Sequence, residues 1–226
     1  MDNLAKANWA DPERVQSLAE SYGRRYNDEL WTAFCNIIRN PHPDVVADFG
    51  CGPGLFLVDL VKKLGATTVY GFDESGEMLS QAEEFLLTVL PKDKITLQKT
   101  NFDNDPIELE SPVINLAFSG YVIHEVESPL KLLKSVKKLL APHGEYVILD
   151  YISGDPEGFV NAMTKRGMDK SKAEARYPHM CKNSLGDLRD FLIEGGFENI
   201  RHRKTHSFKG FVSGVKKVGA DQQSRL

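Results

Sequence analysis

The stretch VVADFGCGPG, from Val45 to Gly54, starts as a buried strand and ends as a turn. Its apolar run is interrupted by a single acid, Asp48, and then carries glycine at every second position, Gly50, Gly52 and Gly54. The next residues, LFLVDLVKKL, have the apolar spacing of a helix, with Gly65 placed as its C-cap. Gly50 can take positive φ for a tight turn, Gly52 lets a ligand approach the backbone, and Gly54 lets the helix pack closely on the sheet. A helix that starts here presents free N–H groups and a partial positive charge. The loop is therefore suited to a small and at least partly negative ligand.

Outward from that loop, short β-rich runs alternate with helical ones. TTVYGFD, KITLQK, VINLAF and EYVILDYI read as the second to fifth strands. SGEMLSQAEEFLLTVL puts Met78, Leu79, Ala82, Phe85, Leu86 and Val89 on one helical face, ahead of Pro91. Ser128-Pro129 opens the helix LKLLKSVKKLL, which Pro142-His143-Gly144 closes. SLGDLRDFLIEGG is a helix with a glycine stop, and ENIRHRKT with FKGFVSGV forms a final strand pair. The pattern predicts an α/β fold: a doubly wound, mostly parallel seven-stranded sheet with helices on both faces. Ligands in such sheets sit beyond the carboxyl ends of the strands, where strand order reverses.

Two segments stand outside the alternation. Residues 1–40 read as helices before the first strand. Residues 154–183 are too long for a plain connection after the fifth. Both are expected to cover the ligand end as lids within one domain spanning 1–226.

Composition narrows the function classes. The 226 residues are 41% hydrophobic, enough for one full core, and the net charge of −4 implies no bulk attraction to nucleic acid. No run approaches the roughly 18 apolar residues of a membrane span, and the N-terminal residues lack the pattern of a targeting peptide. Cys35, Cys51 and Cys181 lie far apart without a CxxC, so no disulfide frame or metal site is expected. The expectation is a cytoplasmic monomer or homodimer, although Ser224-Arg225-Leu226 is similar to a peroxisomal C-terminal tripeptide with Arg for Lys.

The glycine spacing is G-x-G-x-G, not the G-x-G-x-x-G of dinucleotide loops. With Asp73 about 20 residues on, at the end of the second strand, the chain resembles the class I S-adenosylmethionine-dependent methyltransferases of the small-molecule, Rossmann-like type. VADFGCGPG matches their first motif, GFDESGEML the second, KTNFDND the adenine-rim segment and INLAFSGYVIHEVESP the fourth. The resemblance implies S-adenosylmethionine as cofactor and a small-molecule acceptor. It places Asp48, Gly50, Cys51 and Gly52 in the cofactor loop. Asp73 falls at the ribose, with Met78, Asn101 and Phe102 around the adenine, and Glu74 is a further cofactor residue. Ser119 follows at the end of the fourth strand, and Tyr26 closes over the methionine end.

Methyl transfer is an in-line displacement, so orientation supplies much of the rate, and a base is needed only if the acceptor must lose a proton. His124 and Glu125 follow the fourth strand, Asp150 and Tyr151 end the fifth, and His179 lies where the inserted segment returns. His124, His179 and Tyr151 are the expected catalytic residues, with a histidine as base for a hydroxyl acceptor. A protein or RNA acceptor, or a subunit that binds the cofactor without turnover, are the alternatives.

Overall fold

The computed structural model describes residues 11–111 and 113–217. Residues 1–10 of the first cover and the tripeptide Ser224-Arg225-Leu226 lie outside the described residues.

The first cover contains α1 (Pro12–Glu20), α2 (Tyr22–Arg25) and α3 (Asp28–Ile37). Asp11 and Asn27 cap α1 and α3 by accepting backbone N–H groups of their first turns. The sheet helices then alternate with strands as expected: β1 (Val45–Phe49), α4 (Leu55–Leu64), β2 (Thr68–Asp73), α5 (Gly76–Leu86), β3 (Ile95–Lys99), β4 (Ile114–Gly120), α6 (Pro129–Leu139) and β5 (Leu140–Tyr151). The inserted segment forms α7 (Pro156–Lys165) and α8 (Lys170–Met180), and α9 (Leu185–Glu194), β6 (Phe197–His206) and β7 (Lys209–Lys216) complete the chain.

The seven strands run in the order β3-β2-β1-β4-β5-β7-β6. β1 to β5 are mutually parallel, whereas β7 is antiparallel to β5 and β6. The chain winds outward from β1 to β3 and restarts on the other side at β4. The order therefore reverses between β1 and β4, and the loops after these two strands face a common crevice.

Alternation along the strands divides the core. Val46 and Phe118 turn to a layer containing Trp31 and Phe34 of α3 and Leu57 and Leu60 of α4. Ala47, Phe49 and Ile148 turn to the other layer, with Leu132 and Val136 of α6 and Leu188 and Leu192 of α9. α7 and α8 carry a third cluster of their own: Phe159, Val160, Met163 and Met180 pack with Tyr151 and Phe208. The inserted segment thus has more apolar packing than its charged sequence suggests.

Two boundaries differ from the sequence expectation. Helix α5 stops at Leu86, so Val89 lies in the turn that follows it. Pro142-His143-Gly144 does not form a separate stop after α6. It lies within β5, which begins at Leu140 opposite Ile114 and then shifts register, with His143 at φ 61. Backbone pairing with β4 on both sides of the irregularity outweighs the local turn preference.

Candidate active site

The crevice at the strand-order reversal holds a cavity of about 320 Å³. The glycine loop forms one wall. Gly50 has φ 84 and abuts Val122, whose Cγ2 would lie 2.3 Å from an added Cβ. Gly54 has φ 74 and touches helix α5, where an added Cβ would lie 2.7 Å from that of Ala82. Its role is therefore close contact between α4 and α5 rather than between helix and sheet. Gly52 faces open space, as close ligand approach requires.

Carboxylates ring this wall. Asp73 accepts the Gly52 N–H at 2.8 Å and the Ser75 N–H at 2.9 Å. Burial raises its pKa, and those N–H groups partly offset the rise. Asp48 is 3% exposed, and its Oδ1 accepts no hydrogen bond among the described residues. Burial, with the nearby Asp73 charge, holds its pKa well above the usual carboxylate range. An unpaired buried oxygen at a cavity wall is a costly arrangement that a ligand donor or cation would relieve. Glu74 accepts from the Asn101 amide at 2.9 Å, and Met78 and Phe102 give the adjoining wall apolar surface.

The N-terminal cover forms the roof. Tyr22 donates to Asp59 Oδ2 at 2.7 Å, and its ring stacks on Tyr26 at 4.8 Å. Tyr26 also packs on Phe56, and its hydroxyl lies where a side chain on Gly120 would be. Arg25, beside it, donates from Nη2 to the Leu18 carbonyl at 2.8 Å and lines the cavity.

The turn after β4 supplies the last wall. Tyr121 lines it with φ 64, a left-handed conformation that is an outlier for a bulky side chain. The Tyr121 ring lies 4.8 Å from that of Tyr151. Behind this wall is a line of buried charges. Asp150 Oδ1 lies 2.6 Å from His124 Nδ1, and Asp150 Oδ2 accepts the His124 backbone N–H at 3.0 Å. His124 Nε2 is 3.3 Å from Glu125 Oε1, and His179 Nε2, from α8, is 3.2 Å from Glu125 Oε2. Burial lowers the His124 pKa, but the carboxylates of Asp150 and Glu125 outweigh it and raise it to about 9. Burial likewise opposes ionisation of Glu125, and hydrogen bonding and charge from His124 and His179 bring it down to about 2.

Most of the expected cofactor residues therefore share one cavity: Tyr26, Asp48, Gly50, Cys51, Gly52, Asp73, Glu74, Met78, Asn101 and Phe102. Four expected residues do not line it. Ser119 points to the other layer and shares a hydrogen bond with the Tyr146 hydroxyl at 2.8 Å, because strand alternation turns it away from the crevice. His124 and His179 stand behind Glu125, and Tyr151 stands behind Tyr121. Sequence reading passed over Tyr121 and Arg25. Tyr121 directly follows a strand, which is a usable signal, but its left-handed backbone is visible only in the structure. The described residues contain no group of three or more His, Cys, Asp or Glu side chains that could hold a metal ion. No described helix is long and apolar enough to cross a membrane.

Comparison with known proteins places these features in context. A family described as a methyltransferase domain matches residues 20–202. A tRNA U34 carboxymethyltransferase of Helicobacter pylori (strain G27) is 28% identical over 168 residues, covering 73% of this chain and 61% of that protein. The chain thus spans about three fifths of the length of this relative. A carboxy-S-adenosyl-L-methionine synthase of Trichodesmium erythraeum (strain IMS101) is 28% identical over 185 residues, covering 74% of this chain and 71% of that protein. Among solved structures, a SAM-dependent methyltransferase from Aquifex aeolicus superposes with a TM-score of 0.66 at 19% identity, covering 92% of this chain and 99% of that one.

Proposed function

Because the chain belongs to the methyltransferase-domain family, on a match that includes the glycine loop, both crevice walls and the whole inserted segment, we propose that it transfers the methyl group of S-adenosylmethionine to a small-molecule acceptor. The observation that carries this reading is the unpaired Asp48 oxygen in a cavity that also presents the Asp73–Glu74 carboxylates and the Met78 and Phe102 side chains. These residues fit the cofactor. Asp48 would take the ammonium of its methionine end, and Arg25 the carboxylate. Asp73 has lone pairs left after holding the loop N–H groups, so it and Glu74 can accept the ribose hydroxyls. Met78 and Phe102 would enclose the adenine, with the Asn101 amide at its rim. Bound there, S-adenosylmethionine supplies an electrophilic methyl group on a sulfonium.

The chain's own contribution is position and field. Glu125 is the carboxylate of the buried charge line that reaches the cavity. Its lowered pKa makes it a weak base but a good hydrogen-bond acceptor, so it orients an O–H or N–H of the acceptor. His124 is an imidazolium at neutral pH and takes no proton from the acceptor; with Asp150 and His179 it fixes Glu125. This arrangement favours an acceptor that is already nucleophilic over one needing a histidine base. Tyr22, Tyr26 and Tyr121 restrict access and water.

A second reading, RNA as acceptor, is favoured by the carboxymethyltransferase relatives named for tRNA. The two are separated by following S-adenosylhomocysteine release with pools of small metabolites or with total tRNA, beside thermal shifts for the cofactor. S-adenosylmethionine and its demethylated product should each stabilise the protein by about 2.7 kcal/mol at one hundred times Kd, with no shift from NAD. Turnover on tRNA and none on metabolites replaces the small-molecule reading, and equal shifts with NAD end the methyltransferase reading altogether.

A further inference from the structure

Next to the main cavity, under the first cover, lies a second and smaller one of about 40 Å³. Its cations come from three distant parts of the chain. Arg24 and Arg25 belong to α2, Arg166 caps the C-terminus of α7, and His206 and Lys209 flank the β6–β7 turn. Glu29 is the one carboxylate in its lining. Lys209 is 3% exposed, and among the described residues its ammonium has no hydrogen-bond or ion-pair partner, only the Phe208 ring with its centroid 5.9 Å away. Burial, and then the Arg166 charge, lower its pKa to about 8. Arg24 and Arg166 are exposed, and Arg25 Nε is buried without a hydrogen bond. Lys209 shares this space with Arg24, Arg25 and Arg166, and the lining carboxylate, Glu29, does not balance them, so an added anion is favoured there.

We infer that this second cavity is an oxyanion subsite, which takes a phosphate or carboxylate group carried by the methyl acceptor. The size supports a small group. At about 10–15 Å³ per water on this measure, the space holds on the order of three waters, comparable to the oxygens of one phosphate. The position supports the acceptor, because Arg25 lines both cavities. A ligand anchored at Lys209 and Arg166 would point its remainder past Arg25 toward the Tyr26 and Tyr121 side chains. The inference rests on the methyl-transfer reading for what the anion belongs to, but not for whether the anion binds.

The test uses the full chain with inorganic phosphate as probe, against chloride at equal ionic strength, in the wild type and in Lys209→Met and Arg166→Gln. Titration calorimetry should give saturable phosphate binding that weakens about 10-fold in each variant, the scale of one charge-assisted contact. Arg166 is exposed, so its variant keeps the test alive if Lys209→Met fails to fold. S-adenosylhomocysteine affinity should be unchanged in both variants. A small phosphomonoester, but not an RNA hairpin, should displace the phosphate. Phosphate binding that is absent, or equal in all three proteins, overturns the inference. So does a hairpin that displaces phosphate where the phosphomonoester does not. A parallel loss of S-adenosylhomocysteine affinity would assign the cluster to the cofactor's carboxylate and overturn the acceptor subsite while leaving methyl transfer standing. A wild type that binds phosphate but no S-adenosylhomocysteine instead fails the methyl-transfer reading alone.

Discussion

The glycine-loop wall and the Glu125 wall of the main cavity meet the same ligand space by different means. At the loop, the decisive bonds join backbone N–H groups to Asp73 across 21 positions of sequence, and Ser75 is two residues from its partner. At the other wall, His124 reaches Asp150 across 26 positions and His179 reaches Glu125 across 54. The first wall is mostly main chain shaped by a local motif. The second is a line of charged side chains held out of water by tertiary packing. Backbone walls tolerate changes in distant sequence; charge lines depend on every member, because each buried charge left alone is costly.

The strongest way to break this comparison is Asp150→Ala. It strips His124 of a buried carboxylate and leaves two backbone N–H groups, those of His124 and Tyr151, without their acceptor. Urea denaturation should show a loss of about 3–5 kcal/mol. Most of that should return when His124 is also replaced by an apolar residue, since no unpaired charge then remains. A loss under 1 kcal/mol would mean that the line is not a coupled unit.

Next in size is the pH dependence of stability. His124 has a folded pKa near 9 against an ordinary 6.5, so its contribution is complete below pH 6.5 and is lost as pH rises through 9. Glu125 runs the other way, with its contribution complete above pH 4.5 and lost as pH falls toward 2. The two shifts share one interaction and are not added. Stability attributable to the line should be greatest between pH 4.5 and 6.5. It should fall by on the order of 3 kcal/mol by pH 10. Replacement of His124 should flatten the alkaline limb, and an unchanged limb would contradict the assignment.

At the glycine wall, Gly54→Ala should cost about 2 kcal/mol, from left-handed strain and from contact with Ala82 on α5. Its effect on the Glu125 wall should be small, which double-mutant cycles with Asp150→Ala can check as simple additivity. Asp73→Ala should weaken binding of S-adenosylhomocysteine by about 1–2 kcal/mol in calorimetry, with a smaller loss of stability. The smallest expected effect is that of Tyr22→Phe. Losing the bond to Asp59 should cost about 1 kcal/mol and show as faster amide exchange in α1 and α2, with the central sheet unaffected.

The difference between the walls also explains what could be read before the structure. Asp48, Gly50, Gly52, Asp73 and Met78 were legible because each follows a strand or opens a helix at a spacing fixed by the local motif. Ser119 was misplaced because strand period, not strand end, decides which layer a side chain enters. His124 and His179 were expected as catalytic residues, whereas the side chain beside them that lines the cavity is Glu125. Adjacent residues in a tight turn point different ways, and the direction depends on the φ of 64° at Tyr121. The basic cavity was not legible, because its cations come from three separate segments and Arg166 is the lining residue that the inserted segment supplies.

By itself the sequence determined the element order, the parallel sheet and the loop that lines the cavity, since periodicity and glycine placement act over a few residues and survive in any context. Only the tertiary structure decided that Glu125 rather than a histidine meets the cavity. It also decided that Pro142 to Gly144 join a strand and that α2, α7 and the β6–β7 turn bring their cations to one small space. Those outcomes depend on charges and backbone groups from distant segments sharing a buried environment, and no local pattern encodes the distance between them.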